Sequence, residues 1–187
     1  MANTGVFVRL RLVLQELCVG LAYRPIPRSA KGEVVLRAFR LRDAASVRQL
    51  FFGLNPQGSF SVLKLMLGLV AFRKLLIIAE DVRTRQLVGL DLFYFNDRDL
   101  RERTVHEGFI GVVPAYQGRG LATAMRELAK LHFRSNGLSG ISTRITQDNV
   151  ASLQSALKLG FEVVDGVFDA SAGYEKYYLV CPLEGSK

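Results

Sequence analysis

The chain has no tryptophan, two cysteines, five prolines and two histidines in 187 residues. Cys18 and Cys181 stand near opposite ends, with no Cys/His cluster between them. That excludes a disulfide framework and a cysteine-based zinc site, and no other metal site is indicated. So few cysteines suit a reducing interior. Long apolar runs are also missing. The longest, Leu65 to Phe72, is flanked by Lys64 and Arg73 and is far shorter than the ~20 residues a membrane helix needs. Leu12 to Tyr23 is apolar enough for a signal peptide, but Glu16 interrupts it and no small-x-small cleavage pattern follows cleanly. These absences read as a soluble cytoplasmic protein with no membrane partner.

Acidic residues are scarce at the front of the chain. Residues 1 to 48 hold nine Arg/Lys and three Asp/Glu, whereas residues 49 to 187 hold sixteen and fourteen. The net charge of +8 therefore belongs mostly to the first quarter of the sequence. A basic protein can bind nucleic acid, but no basic stripe interleaved with aromatics runs through the body. The excess reads as a solvated arm, with no nucleic-acid partner.

Apolar residues make up 49% and charged residues 22%, which suits one globular domain with a sizeable core. Residues 1–33 read as an N-terminal extension and linker, turn-rich at Pro25, Pro27 and Ser29 to Gly32. Val6 to Leu14 fits a strand by alternation and a helix by the spacing of Leu10, Leu14, Leu17 and Leu21. Residues 34–187 read as the domain. Glu33 to Arg40 is its first strand, and Asp43 offers a cap for a helix over Ala44 to Phe52. Phe60 to Lys74 reads as a second helix, apolar on nearly every side. Such a helix is covered by the rest of the monomer, by a second copy of the chain in a homodimer, or by an apolar acceptor.

Leu75 to Glu80 and Gln86 to Phe95 form a hairpin around Asp81 to Arg85. Asn96 to Arg103 reads as a charged loop. Thr104 to Val113 is a fourth strand, 120 to 135 a helix, and Ile141 to Thr146 a fifth strand. Asn149 to Leu159 is a helix, followed by strands at Phe161 to Phe168 and Tyr174 to Val180. The expected fold is a mixed α/β sheet of about seven strands flanked by helices.

The most informative stretch is residues 108 to 122. An apolar strand ends at Pro114, a loop carries Gly118 and Gly120, and Leu121, Ala124, Met125, Leu128 and Leu131 recur at helical spacing. The first amides of a helix lack internal partners and sit at the positive end of its dipole, so this turn is a place to hold an anion.

Gln117 to Ala122 resembles the Gln/Arg-x-x-Gly-x-Gly/Ala signature of the GCN5-related N-acetyltransferase (GNAT) superfamily. Val112, Val113 and Pro114 precede it as in that family, and Asn149 with Lys158-Leu159-Gly160-Phe161 resembles its later motif. The resemblance covers roughly residues 34 to 181. It implies a mostly antiparallel sheet with helices on both faces, and transfer of an acetyl group from acetyl-CoA to an amine-bearing acceptor, small molecule or protein, in a ternary complex. By that resemblance, the backbone of Gln117, Gly118, Arg119, Gly120, Leu121 and Ala122, with Thr123, clasps the pyrophosphate. Ile110, Val112 and Val113 pair with the pantetheine arm as an added strand, and Asn149 bonds the arm. As a residue, Asn149 equally suits a helix cap.

Glu107 matches a glutamate that serves several family members as base, often through water. As a residue it equally suits a strand-edge glutamate facing solvent or paired with an arginine. His106 points to the opposite face of a regular strand, so one of the two faces the acceptor, and Glu107 is assigned. The sequence departs from the family at Ala156, where many members carry a tyrosine that protonates the leaving thiolate. Ala156 motivates a second reading, a catalytically silent acyl-CoA-binding domain. Tyr174, Tyr177 and Tyr178 are the remaining phenols near the end of the chain.

Overall fold

The computed structural model describes residues 18, 19, 21 to 56, 73 to 169 and 174 to 183. The readings of Val6 to Leu14 and of most of the Phe60 to Lys74 helix lie outside these residues. Eight strands form one sheet: β1 Ser29–Lys31, β2 Val34–Ala38, β3 Leu76–Asp81, β4 Leu87–Tyr94, β5 Thr104–Val112, β6 Gly140–Thr146, β7 Glu162–Asp169 and β8 Tyr174–Pro182. Their spatial order is β1-β2-β3-β4-β5-β6-β8-β7. Every adjacent pair is antiparallel except β5 and β6. The expected mixed, mostly antiparallel sheet is observed, with one strand more than foreseen.

The added strand is β1, which falls in the stretch expected to be a linker and pairs with β2. Ile26, just before it, is buried in the main core. Asn96 to Arg103, expected as a loop, contains a helix, Asp97–Glu102. Asn96 caps it by accepting from the amides of Arg98 and Asp99, while Asp99 accepts from the Asn96 amide. This reciprocal pair satisfies orphan donors at the helix start, which is how so short a charged segment holds a turn.

Two helices cover opposite faces. The first, α1 (Ala44–Leu54), lays Val47 and Phe51 on Phe39, Leu76, Ile78 and Leu90. The charged helix Asp97–Glu102 is α2. The third, α3 (Leu121–Ser135), buries Leu121, Met125, Leu128, Ala129 and Phe133 against the other face, with Ile77, Val88, Phe93, Val105 and Val112. Burying each such side chain contributes about 1.5–3 kcal/mol, so α3 is fixed to the sheet along its length. The last helix, α4 (Val150–Lys158), packs beside α3.

Candidate active site

The parallel pair β5 and β6 is in register from Thr104 with Gly140 to Glu107 with Thr143, and no further. Beyond that point β5 continues against β4 as far as Val112, while β6 continues against β8 as far as Thr146. The two strands therefore part, and among the described residues the β6-side edge of residues 108 to 112 has no strand partner. A register shift between β4 and β5 leaves Gly108 as an extra residue, since Phe93 opposes Glu107 and Leu92 opposes Phe109. Such a bulge bends its strand and frees backbone groups. Glycine is needed there, because a Cβ on residue 108 would lie 2.3 Å from Cε1 of Tyr94.

The opening leads to the glycine loop. Pro114–Tyr116 makes one 3₁₀ turn, and the Tyr116 hydroxyl donates to Oδ2 of Asp81 at 2.7 Å, which ties the loop to the β3–β4 turn. Hydrogen bonds from the Thr84 amide, the Tyr116 hydroxyl and the Arg83 amide hold the Asp81 carboxyl down at about 2. Gly118 and Gly120 have φ of +73° and +72°, a region other residues enter at a cost. A Cβ at Gly118 would meet no atom within 4 Å, and one at Gly120 only Cε of Lys31, at 3.8 Å. Gly120 caps α3 without a side chain, so the amides of Leu121, Ala122 and Thr123 are those a helix leaves without an internal acceptor. A cavity of about 240 Å³ beside the loop is lined by residues that include Lys31, Val34, Asp81, Tyr116, Arg119 and Leu121. Lys31 escaped the sequence reading because it stood in the presumed linker.

The other expected cofactor residues vary in what they leave free. Ile110 and Val112 lie on the parted edge. The Val113 amide donates to the Val88 carbonyl at 2.9 Å, and the Val113 carbonyl accepts from Tyr116 at 2.9 Å, so both its backbone groups are used. Gln117 turns its side-chain amide onto the Val112 carbonyl, at 2.9 Å. Arg119 donates to the Ala115 carbonyl and lies over the Tyr116 ring, with its head exposed at the loop. Asn149 caps α4, its side-chain oxygen accepting from the Ser152 amide at 3.2 Å. Ala156 is fully buried in the core, where the methyl group fits among apolar neighbours.

Glu107 faces α3. Both its oxygens accept from Arg126, at 2.8 and 2.7 Å, and the residue is 3% exposed. The paired-arginine reading of this glutamate is therefore what the side chain does in the folded chain. Asp91 of β4 lies close by, fully buried, with neither carboxylate oxygen hydrogen-bonded among the described residues. Burial first, and then the Glu107 charge, push the Asp91 carboxyl well above the usual carboxylate range, against the pull of Arg126. A raised carboxyl is a stabilising proton site at low pH, and its contribution is lost as pH rises through the folded value. Asp91→Asn is therefore expected to gain thermal stability relative to the parent at pH 8, and the gain to shrink towards pH 4. Melting temperatures of both proteins across that range check it.

On the other face, His106 Nδ1 lies 2.7 Å from the Ser142 hydroxyl. Ser142 donates to Oδ1 of Asp99 at 2.7 Å, and Thr104 donates to the same oxygen at 2.7 Å. With the Ser142 proton directed at Asp99, His106 must donate from Nδ1, leaving Nε2 with a lone pair. The ring lies edge-on to Tyr94, at 5.0 Å, and parallel to Tyr178 at 6.5 Å. Tyr178 is buried, its hydroxyl near that of Ser142. Tyr177 belongs to the core on the α3 side, and the side chain of Tyr174 is outside the described residues. Sequence reasoning set His106 aside, and Ser142 and Asp99 carried no signal of their own.

A mixed sheet parts between two parallel strands and delivers the chain through paired glycines to the start of a helix with no side-chain cap. The chain belongs to the acetyltransferase (GNAT) family, whose sequence description matches residues 53–161. Mycothiol acetyltransferase of Mycobacteroides abscessus is 35% identical over 99 residues, 52% of this chain and 32% of that protein. The chain thus spans about a third of the length of that curated relative. Among solved structures, the NatC complex bound to Gag peptide and CoA superposes with a TM-score of 0.71 at 20% identity, over 81% of this chain and 99% of that one. A mosquito arylalkylamine N-acetyltransferase like 5b gives 0.64 at 18% identity, over 80% and 100%. Among the described residues no helix is long and apolar enough to cross a membrane.

Proposed function

We propose that the protein transfers an acetyl group from acetyl-CoA to a primary amine by direct attack within a ternary complex. The observation that carries this reading is the parting of β5 from β6 at Gly108, continuous with the open turn at Gly118 and Gly120. The pyrophosphate would rest on the amides of residues 117 to 123, with Arg119 and Lys31 adding positive charge. The pantetheine arm would pair with the free edge at Ile110 and Val112 and bring the thioester to Gly108, while Asn149 would reach it from the cap of α4. An amide proton at the bulge would then stabilise the oxyanion. The NatC complex is bound to a peptide and CoA and the mosquito protein is named for arylalkylamines, which supports an amine acceptor.

The test is coenzyme A binding by calorimetry, followed by thiol release from acetyl-CoA with a panel of a peptide amino terminus, an arylalkylamine, a polyamine and an amino sugar. Amine-dependent release above background supports transfer. Tight binding without release across the panel favours the silent acyl-CoA-binding reading that Ala156 motivates.

The family resemblance implies Glu107 as base, although Arg126 engages both of its oxygens in the folded chain. On that assignment Glu107→Gln lowers kcat by about 10²–10⁴ and alters the pH–rate profile, with coenzyme A affinity unchanged. An unaltered profile removes the assignment.

A further inference from the structure

The parted strands have two faces, and a donor held at the glycine loop would lie against one of them. The glycine loop runs into α3, which covers the face that Glu107, Asp91 and Arg126 share. An acceptor attacking a thioester at Gly108 comes from the other face, two residues along β5 from the buried ring of His106.

We propose that His106 is the proton acceptor of the transfer, held by Asp99, Thr104 and Ser142 in the tautomer that presents Nε2. The assignment rests on the transferase reading above and replaces Glu107 in the proton transfer. Three observations carry it. Both Glu107 oxygens are engaged by Arg126, on the face that α3 covers. The hydroxyls of Ser142 and Thr104 both point at one oxygen of a buried aspartate, which fixes the direction of every proton in the chain from Asp99 to the imidazole. Nε2 of His106 has no hydrogen-bond partner among the described residues, whereas His132 uses both nitrogens, Nε2 at 2.8 Å from the Lys74 carbonyl and Nδ1 at 3.4 Å from Asn136. Ser142 is a bridge in this arrangement and not a nucleophile, because its proton is given to the carboxylate.

In the step itself, the amine lone pair forms the C–N bond to the acyl carbon and the C–S bond breaks, its electrons leaving on sulfur. The proton lost by nitrogen passes to Nε2, directly or through one water, and the imidazolium returns it to the thiolate. Amine and thioester become amide and thiol with no other reactant. The ring faces Tyr94 from β4, Asp99 from α2, Ser142 and Arg144 from β6 and Tyr178 from β8, with Arg98 of α2 lying over the Tyr178 ring at 4.0 Å. Burial lowers the imidazole below its usual value; Asp99 opposes that, Arg144 adds to it, and Glu107 opposes it in turn. The base form is thus present at neutral pH.

The experiment compares His106→Gln, Ser142→Ala and Ser142→Thr with the parent, using whichever panel amine the parent acetylates. His106→Gln is expected to lower kcat by about 10²–10³ with coenzyme A affinity within twofold, and to remove an acidic limb of the kcat/KM profile that lies below about 6.5 in the parent. Ser142→Ala is expected to lower kcat about tenfold and move that limb, and Ser142→Thr, which keeps a hydroxyl, to restore both. His106→Gln turning over within threefold of the parent, or keeping the limb, overturns the assignment. Should His106→Gln fail to fold, the Ser142 pair decides: equal limbs in alanine and threonine variants overturn it. A parent that binds coenzyme A and releases no thiol overturns the transferase reading and His106 with it, and is seen before any variant is made.

Discussion

Arg126→Met is expected to destabilise the protein by about 3–5 kcal/mol, the cost of leaving a buried charge without its partner. Arg126 is 1% exposed and joins three elements. Its guanidinium takes both oxygens of Glu107 on β5, reaches the Ser152 carbonyl of α4 at 3.2 Å, and lies over the Phe161 ring at 5.5 Å. Methionine keeps the apolar stem and removes every donor. Glu107 would then stand buried beside Asp91, two carboxylates with no cation between them. Against a total of about 5–15 kcal/mol for a domain of this kind, that loss is a large fraction.

The pH response separates this cause from simple loss of packing. Arg126 pulls the raised Asp91 carboxyl down, so without it that carboxyl rises further in the folded state and the variant recovers stability as pH falls. A cavity or packing defect would be indifferent to pH. Adding Glu107→Gln to Arg126→Met is expected to recover most of the loss, since replacing a whole buried pair is often near neutral. Urea unfolding midpoints of the parent, the single variant and the double variant at pH 7 and pH 5 supply the numbers. A loss under about 1 kcal/mol at pH 7 would mean that the pair is not formed.

The parts of the site legible in the sequence are those made by consecutive residues. Gly118 and Gly120 announce themselves because positive φ leaves few other choices, and Leu121 to Phe133 show their helical face by period alone. Asn96 and Asp99 also held a readable cap signature, three residues apart, which the charge of that stretch obscured. What stayed hidden is made by residues far apart. Asp99 and Ser142 are 43 positions distant, as Glu107 and Arg126 are 19, and only the sheet register and the seat of α3 bring them together. Two signals could have been used. Asp91 stands alone between Leu90 and Leu92, and Arg126 falls on the same face of its helix as Met125, Ala129 and Phe133. A charge among core positions implies a buried counter-charge. Alternation says only that His106 and Glu107 face opposite ways; their partners Ser142 and Arg126 lie on other elements.

Gly118→Asp is expected to weaken coenzyme A binding by about 10–100-fold while leaving the fold intact. The Cβ would project into open space, with nothing within 4 Å. Aspartate and asparagine enter the left-handed region more readily than other residues with a side chain, so the φ of +73° is tolerable. What changes is charge. A carboxylate near a bound diphosphate, in an environment of effective dielectric constant about 20, is repelled by up to about 4 kcal/mol at 4 Å, and each 1.4 kcal/mol is about tenfold in affinity. Screening at an exposed loop reduces that figure, hence the lower range given. Gly118→Asn is the control, equal in size and backbone demand but uncharged, and should bind within about threefold of the parent. The gap between the two variants should narrow as salt rises from 0.05 to about 0.5 M, because exposed charges are screened over a shorter distance. Calorimetric titration of coenzyme A into all three proteins at both salt levels decides the matter. Equal affinities for the aspartate and asparagine variants would mean that no phosphate lies against this turn, and the carrier would have to be placed elsewhere on the parted strands.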